Sequence, residues 1–256
     1  MFKIGTLADW FGVGLLEGIR ESQNCGATGV QVYAWGELDP RKADSSLIQS
    51  VISTAKECSQ TIVALCGELG GHGMETVEEH ATKIEYLRSV VDLAVRLDCC
   101  IVTTHVGIIP EDKDGDIYKA MQDAMRTAGD YAAKNGVTIA IETGPELIAT
   151  LKSFVDSCPG VGINYDPANI VMVTGDDEVK GVFTADASIV HTHAKDGVMY
   201  KYMGPKEAYG LFAKGGIESM QVASEYMSEK PLGRGAYVGT NTSVHFATLD
   251  TTDISP

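Results

Sequence analysis

The runs VTIAIET (137–143), VGINYD (161–166) and SIVHTHAKD (188–196) decide how this chain folds. Each is short and rich in Val, Ile and Thr, the composition of strands buried on both faces in a parallel sheet. Each also carries a group that ionises or ligates at or near its C-terminal end: Glu142, Asp166 and His193. The same pattern recurs toward the N-terminus at KIGTLA (3–8), GVQVYA (29–34), TIVALCG (61–67) and CIVTTHVG (100–107), the last bearing His105. Between these runs lie helix-period stretches such as 74–98 and 116–136, the second stopped by Asn135-Gly136.

Seven strands that alternate with helices, with no break in composition, form a βα series. Right-handed crossovers then leave an open doubly wound sheet or a closed (β/α)8 barrel. No G-x-G-x-x-G follows the first strand, which weakens the dinucleotide-binding version of the open sheet. Polar residues at the C-terminal ends of many strands are what a barrel active site requires, because those ends converge on one face. The expected fold class is therefore α/β, a (β/α)8 TIM barrel. An eighth strand is not visible, so the eighth βα unit is expected to be missing or aberrant. The seven-unit barrel is expected over residues 1–235, with an aberrant tail at 236–256.

The net charge of −15 over 256 residues disfavours a nucleic-acid partner, since phosphate binding needs clustered Lys and Arg. It fits a protein that handles small molecules. Six cysteines without a C-x-x-C pair suit free thiols in a reducing cytoplasm. Neither a signal peptide nor an apolar run of membrane-spanning length is evident, so no membrane partner and a cytoplasmic location are expected. A homo-oligomer is compatible with the sequence.

Each candidate residue has a plainer explanation. Glu142 stands beside TGPE, where an acid favours a helix dipole. Asp166 precedes Pro167, as helix-capping aspartates do, and Asn169 three residues on either caps or faces the same pocket. His191 and His193 are two apart on a strand and share one face, followed by Lys195 and Asp196; a salt-linked loop entry is the alternative. Together, Glu142, Asp166 and His193 form a mixed O/N set that suits a divalent ion such as Mn2+, Mg2+, Co2+ or Zn2+. Such an ion polarises a carbonyl and stabilises an enediolate, while an adjacent carboxylate moves a proton between neighbouring carbons.

The motifs IAIETGPE (139–146), VGINYDPANIVM (161–172) and IVHTHAKDG (189–197) resemble the sugar phosphate isomerase/epimerase family of xylose isomerase-like TIM barrels. ALCGELGGHG (64–73) and TTHVGIIPED (103–112) are similar to its third and fourth strand ends. The resemblance implies metal ligation by Glu142, Asp166 and His193, with Glu142 also a catalytic acid/base. It places Asn169 against substrate, lines the pocket with His105 and His72, and sets Lys195 or Asp196 nearby. The implied function is metal-dependent isomerisation or epimerisation of a small sugar or keto-sugar. Relatives also include dehydratases of inositol-type ketones, and a non-catalytic degenerate barrel is a further alternative. The family's apurinic endonucleases need more histidines and a basic face.

The family supplies a fourth ligand, also the second acid/base, from a glutamate ending strand eight, for which this chain has no match. Its last unit normally follows PLGxG with a Trp-led helix, a Gly-Tyr-Asp-Gly turn and that strand. PLGRG (231–235) enters on schedule and the pattern then vanishes. Codons read across their boundaries from Ala236 permit Trp at Val238–Gly239, restrict Asn241–Thr242 to Tyr or His, and permit Gly at Leu249–Asp250. A shifted reading frame from about Ala236 is therefore expected, with impaired activity as its consequence. The coding DNA tests this: shifted codons that encode the Trp and the Gly-Tyr-Asp-Gly turn are expected, and their absence removes the idea.

Overall fold

The computed structural model describes residues 4–195, together with the backbone of three further strands at 197–200, 236–239 and 247–249. PLGRG and Asp196 lie outside the described residues. Seven parallel strands appear where the β-branched runs place them: β1 (Ile4–Leu7), β2 (Gly29–Tyr33), β3 (Thr61–Cys66), β4 (Ile101–Thr104), β5 (Thr138–Glu142), β6 (Val161–Tyr165) and β7 (Ile189–Ala194). Each pairs with its sequence neighbour, from Gly5 opposite Gly29 round to Tyr165 opposite Thr192. The sheet closes into a barrel.

The helices that return the chain are α1 (Leu15–Asn24), α2 (Ser45–Glu57), α3 (His80–Arg96), α4 (Asp116–Lys134) and α5 (Ile148–Asp156). Their apolar stripes press Ile19, Val51, Leu87, Met121 and Phe154 into one core with Val30, Val102, Ile139 and Ile163 of the strands. Burial of this contiguous apolar surface is the main term that holds the fold. Helix starts are fixed by local chemistry where the sequence provides it: the Asp44 carboxylate accepts from Leu47 N at 2.8 Å. The stop expected at Asn135-Gly136 is present, with Gly136 in the left-handed region at φ 72°. The cysteines are free thiols. Among the described residues, no helix is long and apolar enough to cross a membrane.

One feature departs from expectation. The helix expected from residue 74 starts at His80, because the backbone before it is engaged elsewhere. Met74 N donates to Val106 O at 2.7 Å, and the Lys83 ammonium and His80 ring bond the carbonyls of Gly73 and Met74. A helical turn there would forfeit these bonds to the β4 loop. At the seam of the barrel the eighth unit is aberrant, as expected. β10 (Ala247–Leu249), at the end of the tail segment TSVHFATL (242–249), lies between β1 and β7 and runs antiparallel to both. Three residues of this composition carry no readable periodicity. Before it, β8 (Gly197–Tyr200) and β9 (Ala236–Gly239) pair as a separate two-stranded sheet. The barrel thus has seven parallel βα-type strands and an aberrant eighth.

Close contact between α1 and the 3-10 turn after β1 leaves a sharp test. A Cβ on Gly18 of α1 would stand 2.1 Å from Ala8 O and 2.8 Å from Ala8 C, both backbone atoms that cannot rotate away. Ala in a helix interior gains about 1 kcal/mol over Gly, but the overpacking here outweighs it. Gly18→Ala is expected to lower stability by about 1–3 kcal/mol in urea unfolding.

Candidate functional site

The C-terminal ends of β5, β6 and β7 bring Glu142, Asp166 and His193 together, as the sequence predicts. All three side chains are buried, and one ligand atom from each lies within 4.8 Å of the others. Glu142 is the hub. Its Oε2 receives Asn164 Nδ2 at 3.1 Å and its Oε1 receives Asn169 Nδ2 at 2.8 Å. His193 Nδ1 stands 3.3 Å from Oε2, and His105 Nε2 stands 3.7 Å from Oε1. Burial alone favours a protonated Glu142, but the imidazoles of His193 and His105 outweigh it and hold its pKa well below the ordinary range.

Asp166 fulfils both of its sequence explanations, one with each oxygen. Its Oδ1 caps the short helix α6 (Pro167–Asn169) by accepting from Asn169 N at 3.0 Å. Its Oδ2 is buried and accepts no hydrogen bond, with Lys195 Nζ 3.4 Å away. Burial, reinforced by the charge of Glu142, pushes this carboxyl up to about 6, with Lys195 opposing. Two adjacent carboxyls are thereby driven apart in acidity.

His191 and His193 both point into the barrel, with rings 5.5 Å apart. They meet Gln31 of β2 from across the barrel: its Oε1 lies 3.2 Å from His191 Nε2 and 3.1 Å from His193 Nε2. The Gln31 amide nitrogen donates to Thr103 Oγ1 at 3.1 Å, so its oxygen faces the histidines. A carbonyl oxygen only accepts, so Nε2 of His193 carries a proton toward Gln31, and Nδ1, on the side of Glu142, is the nitrogen that a bound ion would take on release of its proton. The β2–β3 register shifts at Val30/Gln31 and the β6–β7 register at Ile163/Asn164. Both irregularities adjoin a polar residue that touches His193, as bulges beside functional sites do. The orphaned Asp166 Oδ2, the Nδ1 edge of His193 and the ionised Glu142 are the donor set a divalent ion takes.

The remaining candidates divide. Asn169 commits its amide to Glu142 and Thr143 O, and its Oδ1 receives Lys195 Nζ at 2.6 Å. It and Lys195 therefore hold the carboxylates in place. His105 and His72 line a cleft of about 250 Å³ that opens beside Glu142. Its walls also carry Glu68 and Glu75, which the sequence analysis did not single out; a carboxylate just past a strand end was the available signal for Glu68. His105 Nδ1 lies 2.8 Å from Glu68 Oε1. Burial opposes charge on His105, yet Glu142 and Glu68 prevail and hold its pKa well above the usual value. The wall is interlocked: Glu75 Oε1 accepts from Ile108 N at 2.8 Å, tying the β3 loop to the β4 loop.

A xylose isomerase-like TIM barrel family model matches residues 19–239. No curated protein matches the chain. The xylose isomerase domain protein from Planctomyces limnophilus superposes with TM-score 0.68 at 22% identity, over 78% of this chain and 75% of its own. A D-tagatose 3-epimerase-like protein gives 0.65 at 16% identity, over 82% and 86%. The probable 3-DHS dehydratase AsbF from Bacillus anthracis gives 0.63 at 13% identity, over 93% and 83%. At such identities the likeness is one of fold.

One buried carboxyl near the site supplies a clean pH test. Glu146 is 9% exposed, its Oε2 has no hydrogen-bond partner, and burial pushes it up to about 7. An acid whose pKa is raised on folding binds more protons folded than unfolded between its two pKa values. Stability from this group therefore falls as pH rises from about 4.3 through about 7. Glu146→Gln is expected to flatten that part of the stability–pH profile and to raise stability at pH 8 by about 3 kcal/mol. An unchanged slope in urea unfolding across this range rules the account out.

Proposed function

From the premise that the chain belongs to the xylose isomerase-like TIM barrel family, we propose that it moves a proton between neighbouring carbons of a small sugar or keto-sugar. It acts as a metal-dependent isomerase or epimerase. The observation that carries this is the buried Glu142–Asp166–His193 cluster at three consecutive strand ends. Its orphaned Asp166 Oδ2 lies beside a Glu142 held ionised. Glu142, Asp166 and His193 would hold Mn2+, Mg2+, Co2+ or Zn2+. When bound, the ion polarises the substrate carbonyl and stabilises the charge of the enediolate.

The protein's own groups do the rest. Glu142 takes the proton, with asparagine amides on both oxygens to fix its orientation. His105 sits between Glu68 and Glu142 at the cleft and keeps its proton, which places an acid beside the base. Gln31 fixes the His193 tautomer, and Lys195 offsets the charge of Asp166. The second carboxylate expected at the end of strand eight is not supplied by β10. Its residues are Ala, Thr and Leu, and its C-terminal Leu249 pairs with Ile4 at the start of β1, away from the site. With no fourth carboxylate among the described residues, metal affinity and turnover are expected to be lower than a four-ligand site of this type would give.

Dehydration of a cyclic hydroxy-ketone is the second reading, favoured by the length of the match to the probable dehydratase, 93% of this chain. It begins with the same proton abstraction and ends with loss of water, which creates a chromophore that isomerisation does not. Calorimetric titration with Mn2+ tests the site. Glu142→Gln and Asp166→Asn are each expected to weaken binding at least about a hundredfold. Glu142→Gln should also slow exchange of the substrate proton with deuterated solvent by about 10²–10⁴. Unchanged metal affinity in both variants would return the chain to a non-catalytic barrel.

A further inference from the structure

The chain has two tryptophans, and both stand on the face that carries the proposed site. Trp10 follows the C-terminal end of β1 and Trp35 that of β2, and they are 56% and 58% exposed. Large aromatic surface left in water at a functional face marks a binding site more often than a packing accident. These rings are also held. Trp35 stacks on Tyr33, centroids 4.7 Å apart at 24°, and Trp10 Nε1 donates to Tyr33 Oη at 3.2 Å. Tyr33 N in turn donates to Asp9 Oδ2 at 3.0 Å, which binds the β1 loop to the end of β2.

The corner connects directly to the cleft. Tyr33 pairs with Cys66 in the sheet, Cys66 Sγ bonds Glu68 Oε1 at 3.4 Å, and Glu68 holds His105 beside Glu142. Burial raises the pKa of the Tyr33 hydroxyl, with Cys66, Glu68 and Glu142 adding to the effect, so the ring is electrostatically in contact with the site. The cleft wall itself presents three glutamates, Glu68, Glu75 and Glu142, and neither Lys nor Arg among its described lining residues. Its one ion-paired imidazole, His105, is already shared between Glu68 and Glu142, so a phosphate ester would bring a further dianion against the carboxylates with no Lys or Arg among the described lining residues to receive it.

We infer that the Trp10–Tyr33–Trp35 corner is the sugar-stacking subsite of the cleft and that the substrate is a neutral, unphosphorylated sugar. Its C–H face lies on the Trp35–Tyr33 stack while its hydroxyls donate to the glutamate wall. Preset rings contribute contact at little ordering cost. This rests on the sugar-converting function proposed above and adds its substrate class.

Because the chain has no tryptophan elsewhere, its indole emission reports this corner alone. Titration of the intact protein with D-fructose, in the presence of Mn2+, is expected to change that emission. D-fructose 6-phosphate should do so at least about tenfold more weakly. Trp35→Ala should weaken fructose binding by roughly 5- to 10-fold by calorimetry, with Trp35→Phe restoring most of it. Three results overturn the inference: calorimetric binding of fructose with unchanged indole emission, equal or tighter binding of the phosphate ester, or no sugar binding at all. An emission change that follows protein concentration instead of sugar also overturns it, since it marks a contact between copies. Mn2+ binding is measured separately, so loss of the metal-site function and loss of this subsite give different results.

Discussion

A negative charge at the bottom of the barrel mouth organises this molecule. Leaving an isolated carboxylate in a low-dielectric interior is expensive, and an ionised group survives there only when its lone pairs and charge are met. Around Glu142 that demand is met by two asparagine amides and two imidazoles from β4, β6, β7 and α6. The partners of those partners follow: Gln31 meets His193, Glu68 meets His105, and Lys195 meets Asn169. Nearly every polar side chain at the strand ends is thus engaged in keeping one oxygen pair charged and still. Asp166 is the exception, with one oxygen committed to a helix cap and the other unsatisfied. A site that spends so many partners on one carboxylate and leaves a neighbouring one incomplete is arranged for something absent from the protein's own atoms.

The parallel strands and the three clustered side chains were legible in the sequence for a physical reason. Strands buried on both faces read as β-branched runs, and a parallel barrel gathers their C-terminal ends, so the order of motifs already implied convergence. Gln31, Asn164 and Glu68 were not legible in the same way. Their significance depends on which residues face them across a closed sheet, and at two of them on a local slip in strand register. The start of α3 was obscured because its side chains and preceding backbone serve the neighbouring loop instead of extending the helix. At the seam, a three-residue antiparallel strand has too little pattern to announce itself.

Asn169 has partners within the protein as well as the task that the resemblance implies for it. The sequence places it at a substrate-contacting position, and the structure gives it Glu142, Thr143 and Lys195 as partners. In the proposed function its part is to fix the orientation of Glu142. The two clefts of meaning for Asp166, cap and ligand, are likewise compatible because a carboxylate has two oxygens.

The interlock between the β3 and β4 loops bears on how the cleft is paid for in disorder. Met74 bonds Val106, Glu75 bonds Ile108, and Lys83 and His80 anchor the Gly73 and Met74 carbonyls from α3. A Cβ at Gly73 would meet the Val106 carbonyl carbon at 2.2 Å, so the two loops lie backbone against backbone. That wall has already surrendered its conformational freedom when the chain folds. A molecule that docks against it meets a surface with little entropy left to lose, and the ordering penalty of association is set by the ligand's own rotors.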